Sequence, residues 1–580
     1  MGRLIASGCL LLWLSACAQR HLPADVASSA SIVTISIVAT NDLHGALLTR
    51  DGRGGVALLG GYLTNLREAR ARDGGAVLLL DAGDMFHGTL ESNLSEGAPV
   101  VSAYNALGYT AAAVGNHEFD FGPVGPAATP RSPSDDPRGA LKGRAAEAAF
   151  PFLAANLIDD ATGRPVAWPN VQPTAMVQAA GIRIGIIGVM TREALSATLA
   201  GNVGGLSVAP VADTIRAHAM ALREQGAAAV VVAAHVGGSC KSFNQPDDLS
   251  SCDPKSEVFT VARDLPRGLV DVIVGGHRHA GVAHRVEGVA ITSAYANGRA
   301  FSRVDLTVES RTSTVVGARI FPPRYLCLRE DPETQMCGPD ARSTALVPTV
   351  YEGAPVLTFE AIGRVLASAF EQVDAVKDQP LGIVLETPVG RQGPGALYLL
   401  FTDAMLASTP GADVALVNPS GVRADLPEGL LTYGSVFEAV PFDNVVVPIR
   451  LTGGQLRQVI ASQLSGRRPL VRFSGMRVRA RCAGSALEVA LRRPSGVPIH
   501  DDDALLVVVS DFLATGGDGV LTDVIPREGF AVPDAAPLQR DLFAAYLGRL
   551  GGPLRAGMLV DEDNPHFEFL GEQPHTCVAQ

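Results

Sequence analysis

Seven side chains with metal-binding chemistry stand at the ends of five short apolar runs. Residues 32–39 run into Asn41-Asp42-Leu43-His44, and residues 76–80 run into Asp81-Ala82-Gly83-Asp84. Residues 111–114 run into Gly115-Asn116-His117-Glu118-Phe119-Asp120. Residues 227–234 end at His235, and residues 270–274 end at Gly275-Gly276-His277-Arg278-His279. Open α/β sheets place their sites at strand ends, so the recurrence predicts one shared site. Asp42, His44, Asp84 and His279 suit one divalent ion; Asp84, Asn116, His235 and His277 suit a second, with the Asp84 carboxylate shared. Mixed nitrogen and oxygen ligation favours zinc, manganese, iron or cobalt over magnesium. Two close divalent ions are a device for hydrolysing phosphate esters. Asp81 reads as a helix cap, the usual fate of an aspartate after a strand.

The elements that position these residues follow from the pattern along the chain. From residue 31 onward, apolar runs alternate with Ala/Leu-rich helical stretches at 57–72, 100–107 and 211–225, which predicts layered α/β structure. Residues 123–142 are rich in Pro, Ser, Asp and Arg and read as an inserted surface loop. Residues 358–376 read as a helix, with apolar positions at Ile362, Val365, Leu366 and Phe370, bridging to a second α/β domain that begins near 380. The expected division is 31–345, a bridge at 346–379, and 380–580.

The 580-residue length requires more than one domain. Hydrophobic residues at 47% and charged residues at 18% describe a globular chain. The net charge of −12 argues against a nucleic-acid polymer as partner. It also means that binding a phosphate requires local positive charge. Two divalent ions supply about four positive charges against about two negative ones from the aspartates, an excess matched to a phosphate dianion.

The N-terminus reads as a targeting segment, with Arg3 followed by an apolar stretch at 4–14 too short to span a membrane. Leu14-Ser15-Ala16-Cys17 resembles the bacterial lipoprotein processing box, which makes Cys17 the expected lipidated residue, at the end of a signal segment at 1–17 and before a tether at 18–30. The chain is then expected as an exported lipoprotein held to a membrane by its lipid, at the outer membrane, periplasm or cell surface of a Gram-negative bacterium. Of the eight cysteines, six remain after Cys9 and Cys17. An even number in an exported chain suggests disulfides, with fifteen possible pairings. Cys240 and Cys252, and Cys327 and Cys337, are close enough in sequence to close local loops; Cys482 and Cys577 would tie down the C-terminal tail.

The blocks Asn41-Asp42-Leu43-His44-Gly45, Gly83-Asp84, Gly115-Asn116-His117-Glu118-Phe119-Asp120-Phe121-Gly122, His235 and Gly276-His277-Arg278-His279 resemble those of calcineurin-like metallophosphoesterases. More closely, they resemble the exported 5′-nucleotidase family with its UDP-sugar hydrolase branch. The resemblance implies a four-layer α/β/β/α metallophosphoesterase domain, a linker helix and an α/β C-terminal substrate-binding domain. It implies a nucleotide or related phosphate ester as substrate, and a catalytic dyad of His117 and Asp120. In the second domain, Asn418-Pro419-Ser420-Gly421-Val422-Arg423 and Asp511-Phe512-Leu513-Ala514-Thr515-Gly516-Gly517-Asp518-Gly519 resemble the family's substrate blocks. By that resemblance Arg391 and Arg423 grip anionic groups, Asn418 reads the base, Phe512 stacks on it and Asp518 meets the ribose. Two departures are expected: Leu470 at the second stacking position, and Tyr398 and Leu399 where the family is small and polar. UDP-sugar or cyclic-nucleotide hydrolysis, the related thiosulfohydrolase chemistry and a non-catalytic surface binding protein are the alternatives.

Overall fold

The computed structural model describes residues 32–338, 341–342, 345–391, 395–465, 470–525, 536–561, 565–571 and 577. Cys17 and the tether at 18–30 lie outside these residues. Two large sheets form the frame of the N-terminal part. In the first, Ile32–Thr40 lies between Ala300–Glu309, to which it is antiparallel, and Ala76–Asp81, to which it is parallel. Ala111–Ala113, Phe152–Leu153 and Val171–Gln172 extend the parallel side. In the second sheet Ile182–Met190, Ala229–His235, Val272–Gly275 and Val289–Ala294 run parallel at the centre. These strands are buried on both faces, which is why they read as unbroken apolar runs.

The two-residue period of a strand sorts each run between two cores. Ile35, Ile37, Leu78 and Leu80 face Ile184, Ile186, Val231 and Val272 in the space between the sheets. Val38 and Leu79 turn the other way, onto Leu59, Tyr62 and Leu66 of the helix Val56–Arg72 and Val100 and Tyr104 of the helix Ala98–Leu107. On the far side, Val230, Val232 and Ile273 meet Ile215 and Leu222 of the helix Val211–Glu224 and Phe259 of Glu257–Asp264. The order is helix, sheet, sheet, helix, the four layers that the resemblance implied. Each fully buried Leu, Ile or Val is worth about 1.5–3 kcal/mol, so the strand ends sit on a stiff base.

In the C-terminal part, Val446–Thr452, Ala504–Ser510, Val414–Val417 and Arg472–Ser474 form one sheet in that order. Val414 and Leu416 face Leu456 and Ile460 of the helix Gly453–Ser465. Ala415 and Val417 face Phe401 of Ala396–Ser408 and Phe543 of Gln539–Leu550. The bridging helix is Glu360–Lys377. Its Ile362 and Leu366 pack into the N-terminal core, while Val373 packs with Leu90 and Phe437, so one helix face touches both parts. Val365 is 42% exposed and off that face, which departs from the sequence pattern. The loop at 123–142 is exposed or half-buried along most of its length and passes into the helix Gly139–Glu147. Disulfides join Cys240 to Cys252, Cys327 to Cys337 and Cys482 to Cys577, the local and tail-tying pairs the spacing suggested. Among the described residues no helix is long and apolar enough to cross a membrane.

Candidate metal and catalytic centre

The strands Ile32–Thr40, Ala76–Asp81, Ala111–Ala113, Ala229–His235 and Val272–Gly275 deliver all seven candidate ligands to one place. Five of the seven (Asp42, His44, Asp84, His277 and His279) have positive φ, between 49° and 73°. A non-glycine residue in that region costs of order 1–3 kcal/mol and persists only where the surroundings impose it. The strain bends each chain sharply after its strand and turns the side chain into the site.

The donors fall into two groups, Asp42 with His44 and His279, and Asp84 with His235 and His277, each with its ligand atoms within 4.8 Å of one another. His44 Nε2 faces His279 Nε2 at 2.9 Å, and His235 Nε2 faces His277 Nδ1 at 3.1 Å. Asp84 Oδ2 lies 3.1 Å from His235 Nε2, and Asn116 Oδ1 lies 3.0 Å from the same nitrogen. The outer partners orient the donors inward. His44 Nδ1 bonds the His87 carbonyl and His235 Nδ1 bonds the Ala82 carbonyl, each at 2.9 Å, freeing both Nε2 atoms. Asn116 Nδ2 donates to the Ala197 carbonyl, which leaves Oδ1 pointing inward. Asn41 donates to Asp42 Oδ2 at 2.6 Å. Imidazoles held by carbonyls and carboxylates held by amides are the usual outer support of a metal site.

Electrostatics point the same way. Burial pushes the Asp42 carboxyl up to about 7. Against burial, the Asp84 carboxylate drives His235 up to about 10. The set therefore takes up positive charge. Burial, with neighbouring cations, lowers His277 and His279 to about 3, the neutral form that binds metal. The donor set fits divalent ions.

Beside the donors, His117 Nδ1 donates to Asp120 Oδ2 at 2.5 Å, and Thr198 Oγ1 donates to Asp120 Oδ1 at 2.7 Å. Burial opposes charge on both partners, yet the Asp120 and Asp84 carboxylates raise the His117 pKa above its ordinary value. The His117 charge in turn holds Asp120 well below the carboxylate range. His117 N also donates to Asp84 Oδ1 at 2.9 Å, which links the dyad to the metal donors.

Glu118 and His87, to which the sequence reading gave no role, and Asp81, which it read as a helix cap, matter here. Glu118, fully buried, accepts the backbone N–H groups of Asp84, Met85 and Gly115 and so ties the second and third strand ends together. Asp81 caps no helix; it accepts from Thr40, Tyr104 and the Gly83 N–H beneath the site. His87 Nδ1 lies 3.1 Å from Asp120 Oδ2, off line for a good hydrogen bond.

A cavity of about 580 Å³ opens from these groups to the C-terminal part. From the N-terminal part Asp84, Asn116, His117, Asp120, His277 and His279 line it; from the C-terminal part Asn418, Arg423, Phe442, Phe512 and Asp518 do. Arg423 Nη2 reaches 3.2 Å from His117 Nε2. Phe442 packs at 5.6 Å from the His117 ring, 5.0 Å from His87 and 5.0 Å from the Arg423 guanidinium. Buried Arg540 holds that loop by donating to the Pro441 and Phe442 carbonyls and the Asp443 carboxylate. Asp518 Oδ2 accepts from Asn418 and Ser420, each at 3.1 Å. Leu470, expected at the second stacking position in place of an aromatic, lines a separate cavity with Tyr398 and Leu399, so neither departure touches the main one. Phe442 is the second aromatic there. Arg391 is also outside the cavity lining; its Nε bonds Asp425 at 3.0 Å.

The 5′-nucleotidase C-terminal domain family matches residues 373–524. The chain is 26% identical to the cell wall protein Lmo0130 of Listeria monocytogenes, over 85% of this chain and 64% of the relative, so it spans just under two thirds of that protein. It is 25% identical to protein UshA of Salmonella pullorum, over 89% of this chain and 92% of the relative. The 5′-nucleotidase precursor from Thermus thermophilus superposes with a TM-score of 0.68 at 26% identity, covering 93% of this chain and 100% of that one. With a matching domain at residues 373–524, relatives along nearly its whole length and the same two-domain fold, the chain is similar to the 5′-nucleotidases.

Proposed function

We propose that this protein is a phosphoric monoester hydrolase with two divalent metal ions, and that it releases phosphate from nucleotides as a 5′-nucleotidase. The observation that carries the reading is the convergence of seven metal donors with a His–Asp pair and an arginine, beside a cavity that Phe442 and Phe512 also line. A solved relative bearing the 5′-nucleotidase name supports the substrate class. The ions, zinc, manganese, iron or cobalt, would be held by Asp42, His44, Asp84 and His279 and by Asp84, Asn116, His235 and His277. When bound they supply Lewis acidity toward phosphate oxygens and toward water.

The chain's own residues do the rest. Asp120 fixes the His117 ring through Nδ1, so Nε2 presents its proton to the cavity. Arg423 aims a second cation at the same point, and two such donors 3.2 Å apart call for an anion between or beside them. In the balanced reaction, water oxygen bonds to phosphorus, the bond from phosphorus to the ester oxygen breaks, and a proton passes to the leaving oxygen. Phe442 covers His117 and limits water there, while Phe442 and Phe512 offer apolar faces to a base, worth roughly 1–3 kcal/mol per stacked base. Asn418 and Asp518 meet base and ribose. Arg391 is an outer support, through Asp425. On this reading 31–345 carries the metals, 380–580 the substrate pocket and 346–379 the joint.

Phosphate release from AMP, ATP, UDP-glucose and 2′,3′-cyclic AMP, with manganese or zinc added, tests the proposal. AMP is expected to be cleaved, and chelation to stop it. Folded, metal-loaded protein that releases phosphate from none of them would sink the reading.

The three disulfides suit an oxidising compartment outside the cytosol. We place the protein at the outer membrane, facing the periplasm or exterior, through a lipid on Cys17. Cys17→Ser is expected to move it from the membrane to the soluble fraction; an unmodified N-terminus by mass spectrometry would refute the anchor.

A further inference from the structure

The strand Gly281–Val286 is an edge of the second sheet, and the segment that follows His235 is laid along it. Cys240 N–H donates to the Gly281 carbonyl at 3.0 Å, and Arg285 N–H to the Pro246 carbonyl at 2.7 Å. The two-residue period turns Val282, His284 and Val286 to one face of the strand. Val282 and Val286 belong there to an apolar cluster with Cys240, Cys252 and Phe259. An imidazole in that row is out of place unless it has a partner. His284 is 1% exposed, and one of its ring nitrogens and both cysteine sulfurs lie within 4.8 Å of one another.

The tautomer of the ring follows from its contacts. Nε2 lies 2.9 Å from the Ser242 carbonyl oxygen, which can only accept, so Nε2 carries the proton. Nδ1 is left with a lone pair. It is buried, and among the described residues it has no hydrogen-bond partner. The Cys240–Cys252 disulfide has no proton to give it. Opening that disulfide supplies what the histidine lacks, a thiol or an ion held by thiolates. Two thiolates and one imidazole are a zinc-type donor set, and two thiolate charges cancel those of one divalent ion, as burial demands.

We propose that Cys240, Cys252 and His284 form a second metal site, for a thiophilic divalent ion such as zinc, available only when the disulfide is reduced. In the balanced sequence a dithiol reductant becomes a disulfide, the Cys240–Cys252 bond breaks and two thiols form. The ion then displaces both thiol protons to solvent, binds the two sulfurs and takes the imidazole lone pair, with water in the fourth position. Ser239, beside Cys240, lines the main cavity, so the disulfide in one state and the ion in the other would fasten the same wall. The site shares no donor with the seven-residue centre and does not depend on the phosphohydrolase reading.

The test reduces the full chain with a phosphine, adds zinc or none, and follows alkylation of each cysteine by peptide mass spectrometry. Zinc is expected to slow alkylation of Cys240 and Cys252 about tenfold or more, because a metal-bound thiolate is a poor nucleophile, and to change Cys327, Cys337, Cys482 and Cys577 less than about twofold. His284→Leu, which keeps an apolar side chain in the row, is expected to lose the protection, and Cys327→Ser to retain it. With cobalt as the probe, a sulfur-to-metal charge-transfer band is expected in the reduced protein and not in Cys252→Ser; nitrogen and oxygen donors alone cannot produce it. Equal alkylation of Cys240 and Cys252 with and without zinc would overturn the proposal, whether or not the reduced chain stays folded. Full protection in His284→Leu would overturn it too, since the ion would then need no histidine.

Discussion

Asp84→Asn is expected to lose bound metal and to lower phosphate release by more than about 100-fold, beyond what a supporting residue around a metal site costs. The substitution keeps shape and removes charge. Asparagine can still accept the His117 N–H that Asp84 Oδ1 takes at 2.9 Å. It cannot offer two anionic oxygens to two ions. The position has no slack, since a Cβ on Gly115 would lie 2.3 Å from Asp84 Oδ1. Glu118 and the Gly83 loop hold the surrounding backbone without help from the Asp84 charge. Elemental analysis of purified protein should show the metal loss, and circular dichroism should show an unchanged fold. A variant that keeps both ions and stays within about tenfold of wild-type activity would remove Asp84 from the shared position.

The convergence of the candidate metal donors was legible because its grammar is local. A buried strand ending in Asp-x-His or Gly-Asp announces itself within a few residues, and five such ends reinforce one another. The supporting groups arrive by routes that local pattern does not record. Thr198 comes 78 residues after the aspartate it holds, and Arg423 comes 306 after the histidine it meets. Glu118 sat within a recognised block, but its work is to accept three backbone N–H groups, and no periodicity signals that. Phe442 lies in Pro441-Phe442-Asp443-Asn444, between the helix Tyr433–Ala439 and the strand Val446–Thr452. An aromatic among turn residues was the available signal, since core aromatics sit in periodic runs. Leu470 was misplaced because the reading looked for the second aromatic around the short strand Arg472–Ser474; the sheet turns Leu470 to the neighbouring cavity and lets Val471 reach the main one.

His117→Ala is expected to reduce turnover by about two to four orders of magnitude while both metal ions stay bound. The separation follows from geometry. The hydrogen bond from His117 to the metal donors is made by its backbone N–H, which alanine retains; its ring bonds Asp120 and Arg423 and packs edge-on against the His44 ring at 5.2 Å without a hydrogen bond, and alanine removes those contacts. Metal content therefore distinguishes this variant from Asp84→Asn at equal loss of activity. Asp120→Asn should cost less, about 10–100-fold, because Asp120 works by orienting the ring and favouring its charged form. If that is its role, adding Asp120→Asn to His117→Ala should lower activity little further, since the ring it serves is already gone. A double variant that multiplies the two losses would mean that Asp120 acts on the substrate by itself. In that case its contacts with Thr198 and His87, not its bond to His117, would be the ones to follow.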